Sequence, residues 1–348
     1  MKRKTGQDRS ITQNWRPQTQ AIRGGTARSE YGETSEALFL TSGYCYDKAG
    51  DAAARFAGEQ DGMTYSRLQN PTVQMLEERI ALLEGAEACR SMATGMAAMT
   101  AALLCQLQSG DHLVGGRAAF GSCRWLTDTL LPKFGIATTI VDARDPQAFL
   151  DAVRPETKVF FFETPANPTM DIVDLKAVCG IARERGITTV VDNAFATPAL
   201  QRPMEFGADV IAYSATKMMD GQGRVLAGAV CGTEDFITNT LLPFTRNTGP
   251  TLSPFTRGWC SRGSRRSTCV SAASRKMRRR SARFWKRACR ASCIRASPAI
   301  RSTSSRCVRW TRAARSSRSR SKGANRRMAC STRWSWSISR TISATRGR

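Results

Sequence analysis

Residues 159–192 read VFFFETPANPTMDIVDLKAVCGIARERGITTVVD, and this stretch decides the fold. It opens with an apolar run at 159–162 and closes with another at 188–191. Between them, residues 175–186 carry apolar side chains at helical spacing and end at a glycine. Two short runs rich in β-branched and aromatic residues, separated by an amphipathic helix, predict two parallel strands with a crossover helix.

The same alternation continues on both sides of this unit. Strands that are apolar throughout are buried on both faces, which is typical of parallel sheets covered by helices. The sequence therefore predicts an α/β fold with a mainly parallel sheet. Further strands are predicted at 112–114, 138–141 and 210–213, and further helices at 71–83, 96–107 and 147–153.

Charge is distributed very unevenly along the chain. Residues 256–348 contain no Asp, Glu or Leu but hold 28 of the 53 Lys and Arg residues. The first 255 residues hold 28 acidic and 25 basic side chains, a net −3, which with +28 in the tail gives the formal charge of +25. A strongly basic chain commonly binds nucleic acid. Because the excess is confined to the tail, we do not predict nucleic acid as the partner.

Composition disfavours several other classes of protein. The first 20 residues are basic and polar, so they do not predict a secretory signal, and the longest apolar stretch, 92–107, is too short for a membrane span. The six cysteines before Thr256 include no C-x-x-C pair, and His112 is the only histidine. We therefore predict no metal site, no membrane contact and a cytoplasmic protein with reduced thiols.

Polar side chains follow the predicted strands at the edge where ligands bind in such sheets. Asp192 ends one strand, and Ser214, Thr216 and Lys217 follow the next. A lysine can condense with an aldehyde, hydroxyls can bind a phosphate, and an aspartate can pair with a protonated pyridine nitrogen. The turn at 94–96 opens a helix whose N–H groups can bind an anion. These features together predict a site for pyridoxal 5'-phosphate.

Glycine-rich segments are also typical of proteins that bind a nicotinamide cofactor, which is the alternative to pyridoxal phosphate here. The glycines at 221, 223 and 228 follow the lysine and lack the spacing of a dinucleotide-binding loop, so they disfavour it.

Several segments resemble one family of enzymes. With YSRLQNPT (65–72), ATGMA (93–97), ETPANP (163–168), VDN (191–193) and YSATK (213–217), the chain resembles the cystathionine γ-synthase group of Cys/Met-metabolism pyridoxal phosphate enzymes. The segments FGSCR (120–124), KMMDGQGR (217–224) and TGPTLSPF (248–255) are similar in particular to the O-succinylhomoserine sulfhydrylase branch. The resemblance covers residues 17–255 and ends at Thr256.

The resemblance implies how this chain would bind the coenzyme. Lys217 would be the catalytic residue, holding the coenzyme as a Schiff base and then shuttling protons. Asp192 would keep the pyridine nitrogen protonated. The phosphate would be bound by the amides of Gly95 and Met96 and by the side chains of Ser214 and Thr216.

Four further residues receive roles from the same resemblance. Tyr65 and Arg67 would reach the phosphate of a neighbouring subunit, so the site would be shared within a homotetramer. Phe120 stands where many relatives have a tyrosine; it can stack on the ring but cannot donate a hydrogen bond. Asn167 would contact the hydroxyl side of the ring or the substrate.

The resemblance also implies the domain organisation. We predict an N-terminal arm and subunit-contact segment at 1–60 and a coenzyme-binding large domain of the aminotransferase-like fold type I at 61–255. The small C-terminal domain of the family is absent as such. In its place we predict a disordered basic tail at 256–348.

The codons that the tail residues imply suggest why the family's C-terminal domain is not recognisable after Thr256. In the neighbouring reading frame, Trp259-Cys260 must encode valine and Trp285-Lys286 must encode glutamate. Allowed codons elsewhere give the strings AWVVLKGLETLDLR, HPGL and LVDISNNIGD, which are expected of the family's C-terminal domain and occur in the right order. We hypothesise a single-base deletion near Thr256 that shifted the frame.

The implied activity is γ-replacement in methionine biosynthesis, in which O-succinylhomoserine and sulfide give homocysteine and succinate. Small molecules, an O-acylhomoserine and sulfide, would be the substrates. Alternatives are cystathionine γ-synthase or γ-lyase chemistry and an O-acetylhomoserine sulfhydrylase, and, in another class, a nucleic-acid-binding protein built on the basic tail. The family's C-terminal domain would supply the arginine that binds the substrate carboxylate, so we expect this chain to be inactive or insoluble.

Overall fold

Strands and helices alternate along most of the chain in the computed structural model, which describes residues 9–257. The strands are β1 (Ala88–Met92), β2 (His112–Gly116), β3 (Ala137–Val141), β4 (Thr157–Glu163), β5 (Thr188–Asp192), β6 (Val210–Ser214) and β7 (Gly228–Gly232). The α-helical segments are α1 (Arg9–Thr12), α2 (Pro17–Arg23), α3 (Ala49–Ala57), α4 (Pro71–Glu84), α5 (Gly95–Leu104), α6 (Gly121–Trp125), α7 (Leu131–Lys133), α8 (Pro146–Asp151), α9 (Leu175–Glu184), α10 (Thr197–Leu200) and α11 (Leu242–Thr248). Helical segments of other types are Leu126–Leu130, Pro203–Phe206 and Phe236–Leu241.

The described strands form a sheet in the order β1-β7-β6-β5-β4-β2-β3. Strands β2 to β6 pair in parallel, whereas β7 runs antiparallel to both of its neighbours, β1 and β6. The predicted α/β fold with a mainly parallel sheet is therefore confirmed, and each strand and helix predicted from the sequence is present with slightly different bounds. The sequence pattern did not predict β1 and β7. Their sequences, ACRSM and GAVCG, lack the apolar β-branched run that marks a buried strand.

The two faces of the sheet pack against different helices. Phe160 and Phe162 of β4 point to the face covered by α4 and α9, here called the α4 face. Phe161 points to the opposite face, covered by α5 and called the α5 face. This alternation follows from the two-residue period of a strand. It also fixes the face of every polar residue that ends a strand.

Local sequence signals set the bounds of α4 and the start of α9. Helix α4 has Pro71 as its first residue, Asn70 as its cap through a 2.9 Å hydrogen bond from the Thr72 amide, and Gly85 in a left-handed conformation at its end. Asp174 caps α9 by accepting a 3.1 Å hydrogen bond from the Ala177 amide. Capping satisfies amides that have no partner inside the helix.

Most of the predicted basic tail lies outside the described residues. Thr256 and Arg257 are the exceptions; Arg257 is buried and donates to Glu36 over 2.9 Å, and the same carboxylate accepts from Arg79 of α4. The arm predicted at 1–60 contains α1 to α3. No helix among residues 9–257 is long and apolar enough to cross a membrane.

Candidate active site

Polar side chains meet at the carboxyl ends of the central parallel strands, as the sequence predicts. Glu163, Asp192 and Ser214 are the last residues of β4, β5 and β6. In the strand register Glu163 lies opposite Asp192. Side chains two residues apart on a strand point to the same face. Glu163, Asp192 and Ser214 each lie two residues after a residue packed on the α5 face, so all three point to that face.

Asp192 is a buried carboxyl group, with 4% of its surface exposed. It accepts a 3.0 Å hydrogen bond from the Ala194 amide, and the Cys123 thiol lies 3.9 Å from its other oxygen. Burial raises the pKa of Asp192 to about 7, and the neighbouring charge of Glu163 acts in the same direction. Within residues 9–257, no Lys, Arg or His forms an ion pair with Asp192. The site therefore offers a buried carboxyl group whose charged form would be stabilised by a cation, and residues 9–257 do not supply one.

The N-terminus of α5 lies against the end of β6. Thr94 caps this helix by accepting a 3.0 Å hydrogen bond from the Ala97 amide. The amides of Gly95 and Met96 are in the first turn and have no acceptor within the helix. A Cβ at Gly95 would lie 2.5 Å from the Ser214 hydroxyl, so only glycine permits this approach. The free amides and the Ser214 hydroxyl form a cradle for an anion.

Lys217 lies in the turn that follows β6 and is exposed. Its amide donates to the Ser214 carbonyl over 3.2 Å, and its carbonyl accepts from the Gly221 amide over 2.8 Å. Thr216 is held by Ala227, since its hydroxyl accepts from the Ala227 amide at 2.9 Å and donates to the Ala227 carbonyl at 3.2 Å. The backbone of this turn is fixed while the lysine amine is accessible.

Phe120 and Asn167 follow β2 and β4, and a single side chain joins them. The Glu163 carboxylate accepts a 2.7 Å hydrogen bond from the Phe120 amide and a 2.9 Å hydrogen bond from the Asn167 amide. The Phe120 ring is 43% exposed, and Asn167 is exposed. Both side chains are therefore free to contact a ligand at this edge of the sheet.

Tyr65 and Arg67 form a separate group. The Arg67 guanidinium lies 5.6 Å from the centre of the Tyr65 ring and donates to the Arg246 carbonyl. The Arg67 carbonyl accepts from Thr251 over 3.1 Å. No hydrogen bond within the described range joins either side chain to the cradle at Gly95 and Ser214. Their predicted role toward a neighbouring subunit stays a prediction.

His112 lies at the opposite end of the sheet from this site. It is the first residue of β2, and its ring nitrogens lie 2.7 Å and 2.9 Å from the hydroxyls of Thr157 and Thr139. Burial is the main cause that lowers its pKa. No group of three or more metal-binding side chains is present among the residues that the structure describes.

The sequence pattern did not single out Glu163 or Cys123. Glu163 was quoted only as part of the segment 163–168, because the strand was predicted to end at residue 162. A strand one residue longer places Glu163 at the end of β4, opposite Asp192. Cys123 reaches Asp192 only through the packing of α6 on the α5 face, which no local pattern records.

These residues fit pyridoxal phosphate, which carries an aldehyde, a basic ring nitrogen and a phosphate. An exposed amine, a buried carboxyl group without a cation and an anion cradle lie at neighbouring strand ends of one sheet. Fold and site together define a fold type I pyridoxal phosphate enzyme.

Comparison with known proteins gives the family. The model of the Cys/Met metabolism PLP-dependent enzymes matches residues 18–270, and the chain belongs to that family. The match continues past Thr256, where the resemblance was expected to end. The chain thus belongs to a family of enzymes of Cys/Met metabolism that depend on pyridoxal phosphate.

Individual relatives agree with this assignment. The chain is 48% identical over 237 residues to the O-succinylhomoserine sulfhydrylase of Pseudomonas aeruginosa, covering 68% of this chain and 59% of the relative. It is 41% identical over 247 residues to the L-methionine gamma-lyase of Porphyromonas gingivalis, covering 70% of this chain and 62% of that protein. The chain thus spans about three fifths of these curated relatives.

A solved structure supports the coenzyme. An O-acetylhomoserine (thiol)-lyase structure from Campylobacter jejuni superposes with a TM-score of 0.71 at 28% identity, covering 74% of this chain and 71% of the other. That structure carries N'-pyridoxyl-lysine-5'-monophosphate. The predicted coenzyme and the fold type I assignment are confirmed.

Proposed function

We propose that the enzyme catalyses γ-replacement on an O-acylhomoserine, with O-succinylhomoserine and sulfide giving homocysteine and succinate. The observation that carries the proposal is the buried Asp192 carboxyl group beside the end of β6, in a chain 48% identical to a sulfhydrylase. The 41% identity to a methionine γ-lyase supports a second candidate, γ-elimination at the same site.

In this proposal each residue of the chain has a defined task. Bound pyridoxal phosphate supplies a reactive aldehyde and a ring that withdraws electrons from the substrate α-carbon. The Lys217 amine would bind the aldehyde group of the coenzyme and, once free, would move the substrate α-proton. The Asp192 carboxylate would pair with the protonated ring nitrogen.

The remaining residues bind and orient. The phosphate would receive hydrogen bonds from the Gly95 and Met96 amides and from Ser214, and from Thr216 once its hydroxyl turns away from the Ala227 carbonyl. Phe120 would stack on the ring, and Asn167 would contact the hydroxyl side of the ring or the substrate. Because Phe120 has no hydroxyl group, it would take no part in proton transfer.

We further propose that Tyr65 and Arg67 act on the site of a second subunit within a homotetramer. Both are exposed, and the pair is held apart from its own cradle by the contact of Arg67 with Arg246. An arginine from a second chain would add the cationic side chain that the described phosphate cradle does not itself contain.

Substrate competition tests the proposal. This chain and its frame-restored form, each loaded with pyridoxal phosphate, are given O-succinylhomoserine with sulfide, with cysteine or with neither, or methionine alone, and homocysteine, cystathionine and 2-oxobutyrate are measured. Homocysteine as the main product, absent in Lys217→Ala, supports sulfhydrylation. Oxobutyrate from methionine would instead establish the lyase, and cystathionine the synthase.

A frame-restored chain separates the effect of the tail from that of the site. Sequencing the DNA around codon 256 decides whether one added base opens a frame coding the three strings expected of the C-terminal domain. If it does, we expect turnover by the restored chain and none by this one. Steeply salt-dependent binding to DNA, lost on truncation at Phe255, would instead favour the basic-tail alternative.

A further inference from the structure

Glu163 joins two segments that follow different strands. One carboxylate oxygen accepts from the Phe120 amide at 2.7 Å, and the other accepts from the Asn167 amide at 2.9 Å. Phe120 begins the turn into α6, and Asn167 lies in the loop after β4. The Glu163 carboxylate therefore anchors both segments, and it sets the distance between Phe120 and Asn167.

The anchor is rigid. Glu163 is the last residue of β4, pairs with β5 at Asp192, and is 4% exposed. Its side chain starts from the hydrogen-bonded sheet, unlike a group on a loop. A charged acceptor also forms stronger hydrogen bonds with amides than a neutral one.

Only a carboxylate of this length serves both amides. Glutamine would place an NH2 group against one backbone N–H, so that one hydrogen bond is replaced by two opposed donors. Aspartate keeps the charge, but its side chain is one methylene shorter, so its carboxylate cannot reach both amides as Glu163 does. Burial raises the pKa of Glu163, whereas the two amide bonds lower it, so these bonds favour the charged form.

We propose that Glu163 is a positioning residue that sets the Phe120 and Asn167 segments relative to the bound coenzyme and to Asp192. The inference rests on the proposed roles of Phe120 and Asn167 at the coenzyme ring. Glu163 itself acts through the two backbone amides and takes no part in proton transfer.

Coenzyme binding by the full chain tests this role. Wild-type protein, Glu163→Gln and Glu163→Asp are titrated with pyridoxal phosphate, and both the dissociation constant and the visible circular dichroism of the bound coenzyme are measured. We expect binding about tenfold weaker in Glu163→Gln, with a smaller dichroic band because the ring is less firmly oriented. Glu163→Asp should lie between it and the wild type.

Glu156→Gln is the matched control. Glu156 precedes the same strand at its other end and is exposed, so its loss should change neither measurement. Hydrogen exchange of the coenzyme-free protein gives an independent readout, with faster exchange expected at the Phe120 and Asn167 amides in Glu163→Gln. If Glu163→Gln does not fold, the same measurements on Glu163→Asp test the proposal.

The outcomes separate this inference from the proposed function. Wild-type affinity, dichroism and exchange in a folded Glu163→Gln overturn the positioning role and leave the proposed function standing. Wild-type protein that binds no coenzyme overturns both.

Discussion

Both faces of the sheet bury carboxyl groups, but the two faces hold them in different surroundings. On the α5 face, Asp192 and Glu163 end neighbouring strands and accept hydrogen bonds from backbone amides of the site segments. On the α4 face, Glu84 is fully buried at the end of α4 and accepts a hydrogen bond from the Tyr213 hydroxyl. The residues are chemically alike, and only their neighbours differ.

The Glu84 group continues as a chain of hydrogen-bonded side chains through Tyr213 and Asn193 to Gln201. The Asn193 amide donates to the Tyr213 hydroxyl over 2.9 Å, and the Gln201 amide donates to the Asn193 oxygen over 3.0 Å. Burial raises the pKa of Glu84 to about 8, and the Tyr213 bond opposes this shift only in part. Glu84 is therefore mostly protonated at neutral pH and acts as a neutral packing group.

The difference shows how a protein distinguishes a functional carboxyl group from a structural one. Asp192 ends β5 beside β6, the strand that leads into Ser214 and the accessible Lys217 turn, so a ligand bound at these strand ends can supply its counter-charge. Glu84 is enclosed and no ligand can reach it, so the carboxyl group is neutralised by binding a proton. Substitutions on the two faces should therefore separate coenzyme affinity from stability.

The largest effect is expected from Gly228→Ala, which crowds the α5 face. The added Cβ would lie 2.1 Å from the Thr94 carbonyl oxygen, at the start of α5, and 2.9 Å from Ala98. We expect a loss of about 3 kcal/mol in the free energy of unfolding, measured by denaturant titration, together with weaker coenzyme binding. Gly180→Ala in α9 is the control, since its Cβ meets nothing within 4 Å and should stabilise by about 0.5–1 kcal/mol. Equal stability of the two variants would contradict the packing.

Asp192→Asn should be next and should act on binding. The amide removes the charge that balances the ring nitrogen, so we expect a loss of about 2 kcal/mol, some thirtyfold in the coenzyme dissociation constant. Spectroscopic titration measures it. Glu84→Gln is the matched variant on the α4 face and should bind the coenzyme as wild type does. A similar loss in both variants would remove the distinction between the faces.

Glu84→Gln should instead change how stability depends on pH. The folded pKa is about 8 against 4.5 for the unfolded chain, so the folded state holds the proton more tightly. The stability from this group is complete below pH 4.5 and is lost as pH rises through 8. Between these values the wild type should lose about 1 kcal/mol per pH unit relative to Glu84→Gln. Parallel denaturation curves across this range would show that Glu84 does not titrate there.

The smallest effect is expected from Cys123→Ala. The thiol lies 3.9 Å from Asp192, and a sulfur donor forms only a weak hydrogen bond. Coenzyme affinity should change by less than about threefold, about 0.6 kcal/mol. Cys179→Ala, buried on the α4 face, should leave affinity unchanged. A large loss in Cys123→Ala would mean that the thiol contributes to the site directly.

How much the sequence predicted differs between elements. Asp192, Ser214 and Lys217 were predicted as site residues because each lies at the end of an apolar run, and strand ends of a parallel sheet meet at one edge. Strands β1 and β7 were missed because their short polar or glycine-containing sequences become strands only by pairing with each other and with β6. Their burial comes from tertiary contacts, which override weak local preference.

The amino-acid order by itself determined the alternation of strands and helices, the caps of α4 and α5, and the residue types at the strand ends, because periodicity and capping act over a few neighbouring residues. Tertiary structure decided that Glu163 serves Phe120 and Asn167, that Cys123 lies against Asp192, and that Glu84 is enclosed with Tyr213. Those contacts join residues 4 to 129 positions apart. For the long-range ones, register and helix packing bring the partners together, and no local pattern encodes either.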